Sequence, residues 1–172
     1  MGGIGKFLLI SMNIVLIGFM GAGKTTIAKI IQEKNGWEIL EMDDLVVAKS
    51  GLRSINEIFE KEGETRFREF EQSVARELSN VDKKIISTGG GVVMNQLNML
   101  YLKRNAKIFY LECDFNVIAK RLSGATDRPL FRDKVKAEKL YNLRVPLYKF
   151  YADEVVDSNC SESAVMAIFK NY

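Results

Sequence analysis

The chain has 172 residues, 47% hydrophobic and 27% charged, with a formal net charge of +3. That is the size and balance of one ordinary globular domain with room for a core. The charge is too small for a dedicated nucleic-acid binder, which needs a concentrated basic face. Histidine is absent, which excludes histidine general bases, Ser-His triads and His-ligated zinc.

The stretch from Phe7 to Ala22 is largely apolar, but Ser11, Asn13 and two glycines interrupt it, and it is shorter than the ~20 residues that span a bilayer. The opening Met-Gly-Gly-Ile-Gly-Lys lacks the Ser or Thr of the myristoylation pattern. Residues 1–11 are expected to be an extension with no evident role, with Met12 as an alternative start, and residues 12–172 to form a single domain. Short β-branched runs predict strands at Asn13–Ile17, Glu38–Met42, Lys84–Ser87, Lys107–Leu111 and Glu154–Val156. Amphipathic stretches predict helices at Lys24–Lys34, Ile55–Glu62, Thr65–Ser79, Gln96–Lys103, Phe115–Leu122, Ala137–Phe150 and Ser161–Asn171. This alternation predicts an α/β fold, a parallel sheet with helices on both faces, whose ligands gather beyond the carboxyl ends of the strands. Cys113 and Cys160 stand in no metal or redox spacing and are read as reduced thiols of a cytoplasmic protein.

Gly18-Phe-Met-Gly-Ala-Gly-Lys-Thr25 matches G-x-x-x-x-G-K-[ST], follows an apolar strand and opens a helix. In such a loop the backbone N–H groups point inward at phosphate oxygens and the helix N-terminus adds its positive end. Gly21, Ala22, Gly23, Lys24, Thr25 and Thr26 are the expected nucleotide-binding set. Lys24 reaches the β- and γ-phosphates, and the Thr25 hydroxyl holds Mg2+. The motif indicates a nucleoside triphosphate without separating kinase, ATPase and GTPase. No Asn-Lys-x-Asp guanine motif is present, and the third strand runs into Gly89, Gly90 and Gly91 rather than a terminal Asp. Three glycines there read either as a turn or as backbone passing close to a ligand.

The phrases "IVLIGFMGAGKTT", "SINEIFEKEGETRFREFE", "STGGG", "DRPL" and "RVPLY" stand in an order and at intervals that resemble shikimate kinase, from about Asn13 to the C-terminus. The resemblance implies a three-layer P-loop kinase fold with a five-stranded parallel sheet. It also implies a helical substrate-binding region at about 43–72 and a small lid at about 123–136. By the same resemblance Arg68 and Arg144 clamp the substrate carboxylate, a task suited to a planar guanidinium fork. Glu71, three residues beyond Arg68, can orient it. Gly89, Gly90 and Gly91 contact the ring hydroxyls, Arg128 closes over the transferring phosphoryl group, and Arg121 stacks on adenine. Without the resemblance, Arg68 reads as one charge among Arg66 and Arg76 on a solvated helix, and Arg144 as a helix-end charge.

Two departures stand out. Where the family shows Asp-x-Asp this chain reads Glu41-Met42-Asp43-Asp44. Counting from Lys24 selects Glu41 for Mg2+ and Asp43 for the acceptor hydroxyl; counting back from "RSINEIF" selects Asp44 instead, so one residue is inserted, and its placement near Gly51-Leu52 selects Asp43, with Asp44 as the alternative. Near the C-terminus, "DSNCSES" lacks the Arg and Pro of some family members. The function implied is transfer of the γ-phosphoryl of ATP to the 3-hydroxyl of shikimate, in chorismate and aromatic amino acid biosynthesis. Mg2+ is the expected cofactor, a monomer is expected, and neither nucleic acid nor membrane is expected as a partner. Two alternatives stay open: a kinase of another carboxylate-bearing polyol such as gluconate, and a non-catalytic homologue that binds nucleotide or metabolite.

Overall fold

The computed structural model describes residues 12–123 and 133–172. Five strands, β1 (Asn13–Ile17), β2 (Glu38–Glu41), β3 (Lys84–Ser87), β4 (Ala106–Glu112) and β5 (Glu154–Asp157), form one sheet in the order β2-β3-β1-β4-β5. Every pairing is parallel. β1 is central and each of its five residues is buried, as expected of a strand covered on both faces. Ile14, Val15, Leu16 and Ile17 meet Ile85, Ile86, Ile108, Phe109 and Leu111 in the core.

The helices are α1 (Lys24–Asn35), α2 (Met42–Ser50), α3 (Ile55–Lys61), α4 (Gly63–Leu78), α5 (Gln96–Lys103), α6 (Phe115–Leu122), α7 (Lys134–Tyr151) and α8 (Ser161–Asn171). The chain leaves β1 toward β2 through α1, then moves back across the sheet from β2 to β3, β4 and β5. Right-handed crossovers travelling in opposite directions place their helices on opposite faces. Accordingly α1 packs with α8, and α4 packs with α2, α3 and α5. The reversal of direction falls beside β1, so the end of β1 faces the crevice of the sheet.

All five expected strands and all seven expected helices are present, five of the twelve with the expected ends and the rest shifted by one to three residues, and the described residues hold one more helix, α2, that the helical pattern did not mark. The helical pattern assigned no element to residues 43–50, although they fall in the helical region at about 43–72 that the resemblance implies; they form α2, so the strand stops at Glu41 and Met42 is helical. Met42 and Val46 are its buried positions, four apart, and Gly51 closes it in the left-handed region at φ 72°. Its apolar residues Leu45, Val46, Val47 and Ala48 run consecutively, which hides the helical period. A short 3-10 turn, Val92–Met94, follows the triple glycine. α7 begins at Lys134, where the Asp133 carboxylate accepts from the Lys136 N–H at 3.1 Å. Residues 134–136 of the expected lid are therefore the first turn of a helix. Residues 124–132 of that lid, with Arg128, and the extension 1–11 lie outside the described residues. Among the described residues no helix is long and apolar enough to cross a membrane.

Candidate active site

β1 ends at Ile17, and the loop that follows turns through Gly18 (φ 151°), Gly21 (φ 78°) and Gly23 (φ 96°) before α1 begins. A Cβ on Gly18 would stand 2.9 Å from the Leu111 carbonyl oxygen, so the loop lies directly on β4. Gly23 is the left-handed N-cap of α1, a conformation that costs glycine little. The Lys24 ammonium donates to the carbonyls of Gly18 at 2.7 Å and Phe19 at 3.0 Å.

This loop forms one wall of a cavity of about 430 Å3, within the ordinary range for a small-molecule site. Of the residues singled out in the sequence, Gly21, Gly23, Lys24, Thr25, Thr26, Glu41, Asp43, Gly90 and Arg121 line it. Ala22 is instead 1% exposed and packed in the core, so of its groups only the backbone can serve a phosphate. Met20, Ser87, Thr88 and Ser161 also line the cavity, and the sequence reading missed them. Ser87 and Thr88 stand at the end of β3 just before the glycines, a position that could have flagged them.

Glu41 comes from the end of β2, opposite Ser87 of β3. Its Oε1 is buried with no hydrogen-bond partner among the described residues. Beside it the cavity holds the Thr25 and Ser87 hydroxyls and the Asp43 carboxylate. Hard oxygen donors with one unsatisfied carboxylate oxygen fit Mg2+, which uses few protein ligands and completes its shell with phosphates and water. No larger cluster of metal-binding side chains exists among the described residues.

The triple glycine is where three charged side chains converge. A Cβ on Gly89 would stand 2.6 Å from Asp43 Oδ1, and one on Gly91 would stand 3.1 Å from Arg68 Nη1 and 3.5 Å from Arg144 Nη2. Asp44, the alternative to Asp43, is exposed and does not line the cavity. The two aspartates share the first turn of α2, where neighbours point about 100° apart, so only one can face inward.

Arg68, on α4, donates to Glu71 Oε2 at 3.0 Å and to Glu64 Oε1 at 3.2 Å. Glu71 is 2% exposed within the apolar stripe of α4. Burial pushes its carboxyl above the ordinary range, against the pull of Arg68. Arg144, on α7, is 8% exposed. Its Nη1 donates to the Gly90 carbonyl at 3.3 Å, while its Nε is buried without a partner among the described residues. Burial, with Arg68 close by, lowers the affinity of this guanidinium for its proton. Two neighbouring cations make a strong seat for one carboxylate. The Tyr148 hydroxyl also donates to the Gly90 carbonyl, so α7 grips the glycine turn twice.

Arg121, from the last turn of α6, lies on the nucleotide side. It donates to Gly21 O at 3.2 Å, Ser158 O at 3.1 Å and Asn159 O at 3.0 Å, and to the Cys113 thiol at 3.4 Å. It therefore fastens the "DSNCSES" loop to the phosphate loop. Both cysteines are free, Cys113 buried and Cys160 exposed. The role of Cys113 as an acceptor for Arg121 was not visible in the sequence.

A glycine phosphate loop with Lys-Thr at the switch point of a five-stranded parallel sheet, next to an acid and two arginines, defines a small-molecule P-loop kinase. The family profile for shikimate kinase matches residues 20–171. The chain belongs to the shikimate kinase family. It is 39% identical to the shikimate kinase of Thermodesulfovibrio yellowstonii over 165 residues, covering 93% of this chain and 94% of that one. It is 44% identical to that of Caldicellulosiruptor bescii over 140 residues, 80% and 81% of the two chains. The solved shikimate kinase of Acinetobacter baumannii, in complex with shikimate, superposes with a TM-score of 0.85 at 33% identity, over 93% of this chain and 92% of that one. The Aquifex aeolicus enzyme gives 0.78 at 32% identity, over 93% and 95%.

Proposed function

We propose that this protein transfers the γ-phosphoryl group of ATP to the 3-hydroxyl of shikimate, giving shikimate 3-phosphate and ADP. The observation that carries this reading is the convergence of Asp43, Arg68 and Arg144 on one glycine turn beside the phosphate loop. An acceptor with a carboxylate at one end and hydroxyls at the other matches that arrangement.

The loop N–H groups from Gly21 to Thr26 hold the triphosphate, and Lys24 leaves its carbonyl partners for the β- and γ-phosphates. Arg121 presents its flat face to the base. Arg68 and Arg144 hold the acceptor carboxylate, and Gly89 to Gly91 let the ring approach the backbone. Asp43 accepts the hydrogen bond of the 3-hydroxyl, directing the oxygen's lone pair at the γ-phosphorus, and takes its proton as the bond to phosphorus forms. Thr25 and Glu41 would hold Mg2+, which neutralises charge on the phosphate oxygens when bound. By the family resemblance, Arg128 adds positive charge over the equatorial oxygens. Catalysis is then mostly positioning and electrostatics. The enzyme is read as a monomer that works on small-molecule metabolites in the cytoplasm.

The test is ADP release from Mg-ATP with shikimate, with gluconate and with no acceptor. Stimulation by shikimate alone is expected. Stimulation by gluconate alone would move the acceptor assignment, and no stimulation by either would leave a nucleotide-binding homologue.

A further inference from the structure

The two arginines of the anion clamp are held differently. Arg144 is buried and fixed to the Gly90 carbonyl. Arg68 is partly open, its side chain 29% exposed, and takes its direction from the exposed Glu64 on one side and the buried Glu71 on the other. Glu71 in turn is held by Asn98 on α5, 27 positions away, whose Nδ2 donates to Glu71 Oε2 at 3.2 Å. That same oxygen accepts from Arg68 Nη1. An ionised carboxylate only accepts, so it dictates that the amide turns its NH2 end toward Glu71.

This arrangement is costly. Asn98 is fully buried, and its Oδ1 has no hydrogen-bond partner among the described residues. Its buried neighbours on α5, Met99 and Leu102, are apolar. An orphaned acceptor in a core works against folding, and it offsets part of what the amide contributes by satisfying the buried Glu71. α5 also grows directly out of the glycine turn and the 3-10 turn after it.

We propose that Asn98 is a positioning residue for the acceptor. By gripping Glu71 it fixes the carboxylate that aims Arg68, and it ties that aim to the helix emerging from the triple glycine. The proposal rests on the reading of Arg68 as a ligand of the acceptor carboxylate. Asn98 touches neither substrate, and its effect is confined to acceptor binding.

The test compares Asn98→Leu, which keeps the branched shape and removes the donor, with Asn98→Ser, which is small and cannot span to Glu71. Both are also made in an Arg68→Ala background. KM for shikimate, KM for ATP, kcat and the melting temperature are measured. In either single variant KM for shikimate should rise about three- to tenfold, the effect of a weakened charge-assisted hydrogen bond. KM for ATP and kcat should stay within about twofold. Added to Arg68→Ala, neither substitution should raise KM further. The serine variant carries the test if leucine cannot be accommodated. Unchanged KM for shikimate in a folded variant, an equal loss for ATP, or effects that multiply with those of Arg68→Ala would overturn the proposal. If Arg68→Ala raises KM while the Asn98 variants do not, only the role of Asn98 falls. If Arg68→Ala itself leaves KM unchanged, the carboxylate reading falls with it.

Discussion

Gly89→Ala isolates the acceptor side of the site with one methyl group. The added Cβ would lie 2.6 Å from Asp43 Oδ1, and relief to an ordinary 3.4 Å contact moves the carboxylate by about 0.8 Å. Gly89 has no positive φ, so alanine adds no backbone strain there. Asp43 is exposed at the start of α2, so displacing it opens no cavity in the core and the melting temperature should change by less than about 3 °C. The reaction cannot follow so easily, because a displacement of ~1 Å of a positioning group costs up to about a hundredfold in rate. We expect kcat to fall about ten- to a hundredfold, or ~1.4–2.7 kcal/mol in the barrier. KM for ATP should hold, because no nucleotide contact moves. The assay is coupled ADP release with both substrates varied, alongside thermal unfolding. Wild-type kcat in the folded variant would refute the placement of Asp43 against the acceptor hydroxyl, and a selective loss of ATP affinity would put the glycine turn on the nucleotide instead.

Gly91→Ala presses on Arg68 and Arg144 rather than on Asp43, so KM for shikimate should rise about tenfold with a smaller change in kcat, measured in the same assay. Lys24→Ala should cut turnover about a hundred- to a thousandfold and leave the circular dichroism spectrum unchanged; substantial residual activity would contradict the phosphate-loop assignment. Asp43→Asn should lower kcat at least about a hundredfold and Asp44→Asn less than about twofold, and equal effects would remove the distinction drawn from the cavity. Glu71 supplies a pH signature of opposite signs. Its carboxyl is raised by burial, so the folded state keeps this proton at pH values where the unfolded chain has released it. Stability therefore falls as pH rises from the ordinary carboxyl value of about 4.3 through the raised one. Over the same window the ion pair with Arg68 forms and kcat/KM for shikimate should rise. Glu71→Gln should abolish both slopes, checked by melting temperature and kcat/KM against pH. A wild-type profile in that variant would show that another group titrates.

The phosphate loop was legible because its glycines, Lys24 and Thr25 are contiguous and their geometry is local. The strands were legible as apolar runs, and the Arg68–Glu71 pair because residues three apart are neighbours on a helix surface. α2 was hidden by consecutive apolar residues that blur the helical period, although Met42 and Val46 carry it. The adjacent acids Asp43 and Asp44 could not be ranked from counting alone, because an inserted residue shifts the count. Only the rotation of α2 relative to β3 turns one of them toward Gly89.

By itself, the sequence determined the nucleotide-binding element, the alternation of strands and helices and, through the order of its motifs, the resemblance to one kinase family. The tertiary structure alone decided which side chains meet. Asn98 reaches Glu71 across 27 positions, Tyr148 reaches Gly90 across 58, and Arg121 reaches Gly21 across 100. Such contacts follow from the sheet order β2-β3-β1-β4-β5, which brings the carboxyl ends of distant strands to one rim. That order is set by crossover handedness and by burial summed over the whole core, which no local pattern encodes.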